Sequence, residues 1–462
     1  MGVAAAGLGI APISSFAAGH SNNIAAPKGD KVKIAFIGIG NRGEQDVDEF
    51  ARTGMIDVVA LCDVDLDGKQ TQKVLAKYPN AKRFRDFREM FEKYGNQFEA
   101  VVAAVPDHMH FPVAMMALDY GKHIYLEKPM TRTFIEAELL MQKARKNPNV
   151  VTQVGNQGHS EANYFQFKAW KEAGIIKDVT AITAHMNNPR RWHGYDANIS
   201  RFPEAQPVPK NMDWDTWLGA CQWHDFSDKF HQGNWRCWYD FGMGALGDWG
   251  AHILDAAHEF LDMGLPYEIS LTYEKGHNDY FFPYSSTILF RFGARGNMPP
   301  CDVTWYDGID NLPPLPKGYG TSEYNADIPS TNQGDTPKAN INPGKIIYSR
   351  DLIFKGGSHG STLSIIGEKA EERKSRLPEV PKSPSNHYAN FLLACQGKEK
   401  TRSPFEINGV LSQVFCLGVI AQRLNTQLFF DPRIKQFTNN AFANALLAGM
   451  PPRKGWEDFY KV

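Results

Sequence analysis

The sequence predicts an α/β domain with a doubly wound parallel sheet at its N-terminal end, followed by an α+β domain built mainly on antiparallel strands. Three observations carry this. From Lys31 to about residue 155, short continuous apolar runs alternate with segments of helical spacing. Strands that are apolar throughout are buried on both faces, which calls for helices on both sides of a parallel sheet. The first run ends in Gly38-Ile39-Gly40-Asn41-Arg42-Gly43, a glycine loop placed between a strand and a helix. Beyond it, segments 178–187, 268–274, 284–292 and 299–306 mix polar and apolar residues, as an antiparallel sheet with one wetter face does.

In order, KVKIAFIGIG (31–40) is the first strand, with a helix from about Gly43, and DVVALCD (57–63) is the second strand. LDGKQTQKVLAKY (66–78) has helical spacing, FEAVVAAVP (98–106) is the third main strand, and FPVAMMALDYG (111–121) is a helix closed by Gly121. HIYLE (123–127) is the fourth strand, TFIEAELLMQKARKN (133–147) an amphipathic helix, and VVTQVGNQG (150–158) ends the unit. Two long irregular stretches follow, 187–240 and 307–345. Seven of the ten Trp (192, 214, 217, 223, 235, 238 and, just past its end, 249) belong to the first. Disordered segments are poor in aromatics, so this stretch is expected to be ordered and near a binding site, while the second reads as mobile. Segments 385–397 and 406–425 read as helices. The expected division is 1–30 as leader and linker, 31–155 as a nucleotide-binding domain and 156–462 as a substrate-binding and oligomerisation domain.

With 42% hydrophobic and 22% charged residues and a net charge of −1, the chain gives no electrostatic reason to bind nucleic acid or an anionic membrane. Its six cysteines, at 62, 221, 237, 301, 395 and 416, form no CxxC or similar pair. No metal site is expected, and buried thiols are. Residues 1–23 are small and apolar and end near "SFA", like the later portion of an export signal, with cleavage after Ala17 or Ala18. The expected location is therefore outside the cytoplasm, in the periplasm. The competing reading is an Ala/Gly-rich tail on a cytoplasmic protein. No segment reads as a membrane insertion.

The glycine loop follows a strand, opens a helix and is answered by Asp63 at the end of the second strand, 20 residues after Gly43. That context is the dinucleotide fingerprint: glycines admit the pyrophosphate to the helix N-terminus, and the carboxylate meets the adenosine ribose. A carboxylate repels a 2′-phosphate, so NAD(H) is expected over NADP(H), although Arg42 stands close enough to blur that choice. "VPDHMH" (105–110) ends the third strand. Asp107 and His110 there are either beside the cofactor or caps of the next helix. Glu127-Lys128-Pro129 ends the fourth strand. Lys128 either helps remove a proton from a substrate hydroxyl or forms a structural ion pair with Glu127. In "GMGALGDWGAHILDAAHEFL" (242–261), His252 follows Asp248 by four residues on one helical face, with Asp255 a turn further on. Together Asp248 and His252 could orient and deprotonate one hydroxyl. The alternative is a helix cap and a core histidine.

The order GxGxxG, Asp after strand two, "PDHxH", "EKP", then "GxxxDxGxHxxD" resembles the Gfo/Idh/MocA oxidoreductases (glucose–fructose oxidoreductase, inositol dehydrogenase and relatives), from about residue 31 to the C-terminus. The resemblance implies a Rossmann domain, then a domain with a large, mostly antiparallel sheet that often forms an oligomer interface. It implies a nicotinamide cofactor, a small carbohydrate substrate and a homo-oligomer, dimer or tetramer. It implies Lys128, Asp248 and His252 as catalytic residues. Gly38, Gly40, Asn41, Arg42, Gly43, Asp63, Asp107, His110, Glu127, Lys128 and Asn156 are the implied cofactor contacts, with a cis Lys128–Pro129 bond. His159, Arg190, Trp192, Trp238 and Tyr239 are the candidate substrate contacts. Many relatives carry an Arg shortly after the fifth strand, where this chain has "NQGHS" (156–160). Exported members include NAD-dependent glycosidases and glycoside 3-dehydrogenases. The resemblance thus implies a sugar or glycoside oxidoreductase, or a glycosidase working by transient oxidation. A non-catalytic carbohydrate-binding protein is the reading from another class.

Overall fold

The computed structural model describes residues 31–187, 198–231, 233–320, 341–374 and 376–462. The leader, Arg190, Trp192 and most of the stretch read as mobile lie outside the described residues. The first sheet holds β1 (Val32–Ile37), β2 (Ile56–Cys62), β3 (Lys82–Phe84), β4 (Ala100–Ala103), β5 (His123–Leu126) and β6 (Thr152–Val154), in the order 3-2-1-4-5-6. Every pairing in it is parallel. The order reverses between β1 and β4, so the carboxyl ends of these two strands splay apart and leave a crevice. Its helices are α1 (Arg42–Arg52), α2 (Gln72–Lys77), α3 (Phe87–Tyr94), α4 (His110–Asp119) and α5 (Phe134–Lys146). Thr133 starts α5 with a reciprocal cap: its hydroxyl accepts from Glu136 N at 3.2 Å, and Glu136 Oε2 accepts from Thr133 N at 3.0 Å. The helix expected over 66–78 is shorter, because Thr71 spends its hydroxyl on the turn carbonyls of Leu66 and Gly68. Short, partly polar β3 and α3 gave no periodic signal.

The second sheet has nine strands: β7 (Val179–Met186), β8 (Glu268–Lys275), β9 (Ser285–Phe292), β10 (Cys301–Asp307), β11 (Gly344–Ser349), β12 (Ile353–Gly357), β13 (Ser364–Ile366), β14 (Gln427–Asp431) and β15 (Gln436–Phe437). Their order is 13-12-11-7-10-9-8-14-15, antiparallel except where β7 meets β10. The remaining helices are α6 (Ala162–Glu172), α7 (Trp214–Leu218), α8 (Gly244–Ile253), α9 (Asp255–Phe260), α10 (Ala370–Lys374), α11 (His387–Cys395), α12 (Phe405–Leu424) and α13 (Ala441–Ala448). α12 is apolar enough to cross a membrane by length and composition, but 78% of that window is buried. It packs on α5, α8, β8 and β9 as a core helix. All six cysteines are buried thiols outside any disulfide.

The two units are not consecutive in sequence. Tyr388, Phe391 and Leu392 of α11 pack with Phe50 and Tyr125 over the first sheet, and Trp456 and Phe459 cover its other face. The chain after residue 156 thus returns to finish the first domain's core. Buried histidines pin these crossings. His387 Nε2 lies 3.0 Å from the Val154 carbonyl, and His108 Nε2 lies 2.7 Å from that of Trp217. Burial pushes both down to about 3, and His123 and His185 down to about 4. The unfolded chain takes up these protons below about pH 6.5, while the folded protein takes up none of them until about pH 4 and those on His108 and His387 only at about pH 3. Stability is therefore lost as pH falls through that window. Urea midpoints should drop on going from pH 7 to pH 5, and His123→Gln should flatten that slope.

Candidate active site

The crevice at the carboxyl ends of β1, β2, β4 and β5 is a cleft of about 590 Å³, closed on its far side by residues from 216–252 and by His359. Its floor is the glycine loop. Gly38 has φ +77°, and a Cβ there would stand 2.5 Å from the Ala104 carbonyl oxygen. A Cβ on Gly43 would run into the Gly38 carbonyl oxygen. Only a side-chain-free loop lets the N-terminus of α1 face the cleft. Asn41, at φ +51°, makes the turn into the helix. Asp63 lines the cleft, with Oδ2 accepting from Ile39 N at 2.9 Å and Oδ1 from Asp65 N at 3.0 Å; burial raises its pKa.

Arg42 turns away from the Asp63 side. Its Nη2 lies 3.0 Å from Glu127 Oε1, 2.7 Å from Asp46 Oδ1 and 2.9 Å from the Tyr388 hydroxyl. Gln157 Nε2 donates to the same Glu127 oxygen at 3.2 Å. Glu127 and Lys128 therefore do not pair through their side chains. Lys128 Nζ donates instead to Asp248 Oδ1 at 2.7 Å and to the Asp248 carbonyl at 3.0 Å. The Lys128–Pro129 bond is cis, and Met130 N donates to Ser412 Oγ at 3.1 Å, which ties the segment to α12.

Asp248 is no helix cap. It lies inside α8, whose N-cap is Met243. Asp107 holds that N-terminus, its Oδ2 accepting from Met243 N at 3.0 Å. Arg236 Nη1 bridges the two carboxylates, 3.2 Å from Asp107 Oδ1 and 3.5 Å from Asp248 Oδ1. Asp107 and His110 do not cap the following helix through their side chains. The His110 ring spans the carbonyls of Pro129, at 2.6 Å, and Val105, at 2.9 Å, so it locks two strand ends together. His252 lies one turn after Asp248 and lines the same cleft. The His359 ring stacks on it, with centroids 4.0 Å apart and planes 16° apart.

Other expected residues lie elsewhere. Gly43 sits under the loop rather than in the cleft wall. Asn156 is buried and donates to the Ala251 carbonyl at 3.0 Å, leaving the cleft to Gln157. Asp255 begins α9 past a break in the helix, and its carboxylate lies 3.5 Å from His159 Nε2. His159 is 1% exposed: its Nδ1 lies 2.9 Å from the Arg402 carbonyl and 3.3 Å from Glu259 Oε2, which places it among buried acids rather than in the cleft. Trp238 is fully buried among Phe202, Phe230 and Phe281, with Nε1 donating to the Lys229 carbonyl. Tyr239 lines a smaller cavity beside Arg132 and Arg423. The aromatic stretch does reach the cleft, through Trp217, Trp235 and the neighbouring Trp249. Sequence reasoning missed Arg236, His359 and Tyr388. A lone cation inside "NWRCWYD" and a histidine inside "GGSHGS" were the available signals. Arg236→Met should lower kcat/KM about 100-fold, by freeing Asp248 to move, with steady-state kinetics as the check.

The family profile described as "Oxidoreductase family, NAD-binding Rossmann fold" matches residues 32–155. Its companion, "Oxidoreductase family, C-terminal alpha/beta domain", matches 173–294. The chain belongs to the Gfo/Idh/MocA oxidoreductase family. It is 27% identical to inositol 2-dehydrogenase of Salmonella paratyphi B, over 37% of this chain and 48% of that one. It is 29% identical to glycosyl hydrolase family 109 protein 2 of Shewanella sp. ANA-3, over 43% of this chain and 48% of that one. The chain thus spans about half the length of the curated relatives it matches. In fold it is similar to the WlbA dehydrogenase from Bordetella pertussis in complex with NADH and UDP-GlcNAcA, with TM-score 0.57 and 14% identity over 87% of this chain and 99% of that one. It is likewise similar to an aldose-aldose oxidoreductase from Caulobacter crescentus, with TM-score 0.52 and 13% identity over 87% and 100%. The first domain is this family's NAD-binding Rossmann fold. The cleft fits such a dinucleotide, since a Cβ at Gly38 or Gly43 would collide with the backbone that shapes the cradle.

Proposed function

We propose that the protein is an NAD(H)-dependent oxidoreductase acting on a ring hydroxyl of a sugar or glycoside, with a tightly held cofactor. The observation that carries this is the convergence of Lys128, Asp248 and His252 in the cleft that begins at the glycine loop. NAD(H) bound there supplies a hydride acceptor that can also return the hydride. Gly38, Gly40 and Asn41 would admit its pyrophosphate, and Asp63 its ribose. NAD(H) is favoured over NADP(H) because the Asp63 carboxylate opposes a 2′-phosphate, while the nearby guanidiniums are engaged. Arg42 is held by Glu127 and Asp46, and Arg85 Nη2 by Asp67 at 2.9 Å.

Lys128 donates to the substrate hydroxyl oxygen and stabilises negative charge as that proton leaves. Asp248, flanked by Lys128 and Arg236, orients the ammonium. His252 accepts the proton as a neutral imidazole, the state that its burial favours. Trp235 offers a ring face to a sugar, and the buried Trp249 helps to exclude water.

A second reading is favoured by the family 109 relatives: a glycosidase that oxidises the ring transiently. A ketone acidifies the neighbouring C–H, the glycosidic group leaves by elimination, and hydration and re-reduction restore the ring. That cycle is redox-neutral, which suits a protein outside the cytoplasm. A periplasmic location and a homo-oligomer formed through the nine-stranded sheet belong to this same proposal. A carbohydrate sensor without chemistry would not need three proton-handling groups converging beside the cofactor loop.

The test is a screen of aryl glycosides and free sugars, read both for released aglycone and for absorbance of reduced nicotinamide. Release without net reduction supports the glycosidase, reduction supports the dehydrogenase, and neither overturns both. Mass spectrometry of the denatured protein should find NAD.

A further inference from the structure

His359 comes from the turn between β12 and β13, more than a hundred residues from the α8 segment it meets. Its ring lies nearly parallel to that of His252, at 4.0 Å and 16°, and Trp249 stands beside the pair, edge-on to both rings at 5.5 Å from His359 and 6.4 Å from His252. The contact is tied twice more. His359 N donates to the His252 carbonyl at 3.0 Å, and His359 Nδ1 lies 3.0 Å from Ser358 Oγ. His359 holds φ +51°, a conformation that a non-glycine residue keeps only when its surroundings require it. Among the described residues, His252 Nδ1 is buried without a hydrogen-bond partner, and both imidazoles line the cleft.

Two imidazoles stacked this closely attract when neutral and repel when both are charged. Lys128 and Arg42 add positive charge nearby, and Asp248, the carboxylate facing them, is already shared by Lys128 and Arg236. Asp248 favours a charged ring, but burial and the neighbouring positive charges outweigh it. A proton acceptor must be neutral before the reaction and must point one nitrogen at the substrate.

We propose that His359 is a positioning residue for His252: its ring clamps the His252 imidazole in one orientation and keeps it a neutral acceptor. The inference rests on reading His252 as the acceptor for a ring hydroxyl. Burial pushes His359 down to about 4 and His252 well below its ordinary value, consistent with both rings being neutral at pH 7.

The experiment is an NMR titration of the full-length holoprotein carrying isotope-labelled histidine, for wild type, His359→Ala and His359→Phe. In His359→Ala, water reaches the exposed ring face, and the His252 titration should move up by about one pH unit. The acid limb of kcat/KM should move with it, while kcat falls about tenfold and KM stays within about threefold. His359→Phe keeps a flat apolar cover and should stay close to wild type. An unmoved His252 titration in His359→Ala overturns the proposal, as does a phenylalanine variant that behaves like the alanine one. If the alanine variant does not fold, His359→Gln replaces it, with the same expectation. The titration needs no substrate. Absence of sugar turnover would overturn the functional reading while the NMR result still decides the role of the stack.

Discussion

Lys128→Ala should lower kcat/KM by about a thousandfold, within the range lost with a positioned proton-transfer group. Lys128 Nζ donates twice to Asp248, and among the described residues no other ammonium lines the cleft. Removing it takes away the closest charge partner of Asp248, which keeps Arg236 at 3.5 Å. The cradle is untouched, because Glu127 is held by Arg42 and Gln157 rather than by Lys128 Nζ. Cofactor co-purification should therefore match wild type, which separates lost chemistry from lost binding. Undiminished turnover of a good substrate would remove Lys128 from the mechanism.

Gly43→Ala should abolish cofactor retention and cost more than about 2 kcal/mol of stability, as overpacking against backbone does. The new methyl group would press on the Gly38 carbonyl oxygen, which cannot give way without moving the loop that shapes the cleft. Gly54→Ala is the control for conformational strain. Gly54 also has positive φ, at +70°, but a Cβ there meets nothing within 4 Å. It should lose modest stability and keep its cofactor. Urea unfolding and mass spectrometry of the bound dinucleotide check both variants.

The legible parts of the fold were those in which one physical cause acts locally. Continuous apolar runs marked β1, β2, β4 and β5 within a residue or two at most ends, because both faces of that sheet are buried. The glycine loop and Asp63 were legible because a backbone that must approach a phosphate tolerates few residue types. β3, α3, α6 and the strands β11 to β15 were not, because their half-buried sequences carry no sustained period. Trp238 misled for a plain reason: an indole stacks as well on phenylalanines in a core as on a sugar.

By itself, the sequence determined the parallel sheet and the cofactor loop, because each is written in short spacings along the chain; the spacing around Lys128, Asp248 and His252 left a structural role equally open, and the family resemblance singled them out. Only the tertiary structure decided their partners. Asp248 is joined to Lys128 across 120 residues and shares Arg236 with Asp107, and Glu127 belongs to Arg42 rather than to its neighbour Lys128. The physical reason is that a charge leaving water takes whichever opposite charge the packing brings within reach, and packing is set by contacts far apart in the chain. The stack of His359 on His252 is of the same kind: it exists only because the turn after β12 meets the end of α8.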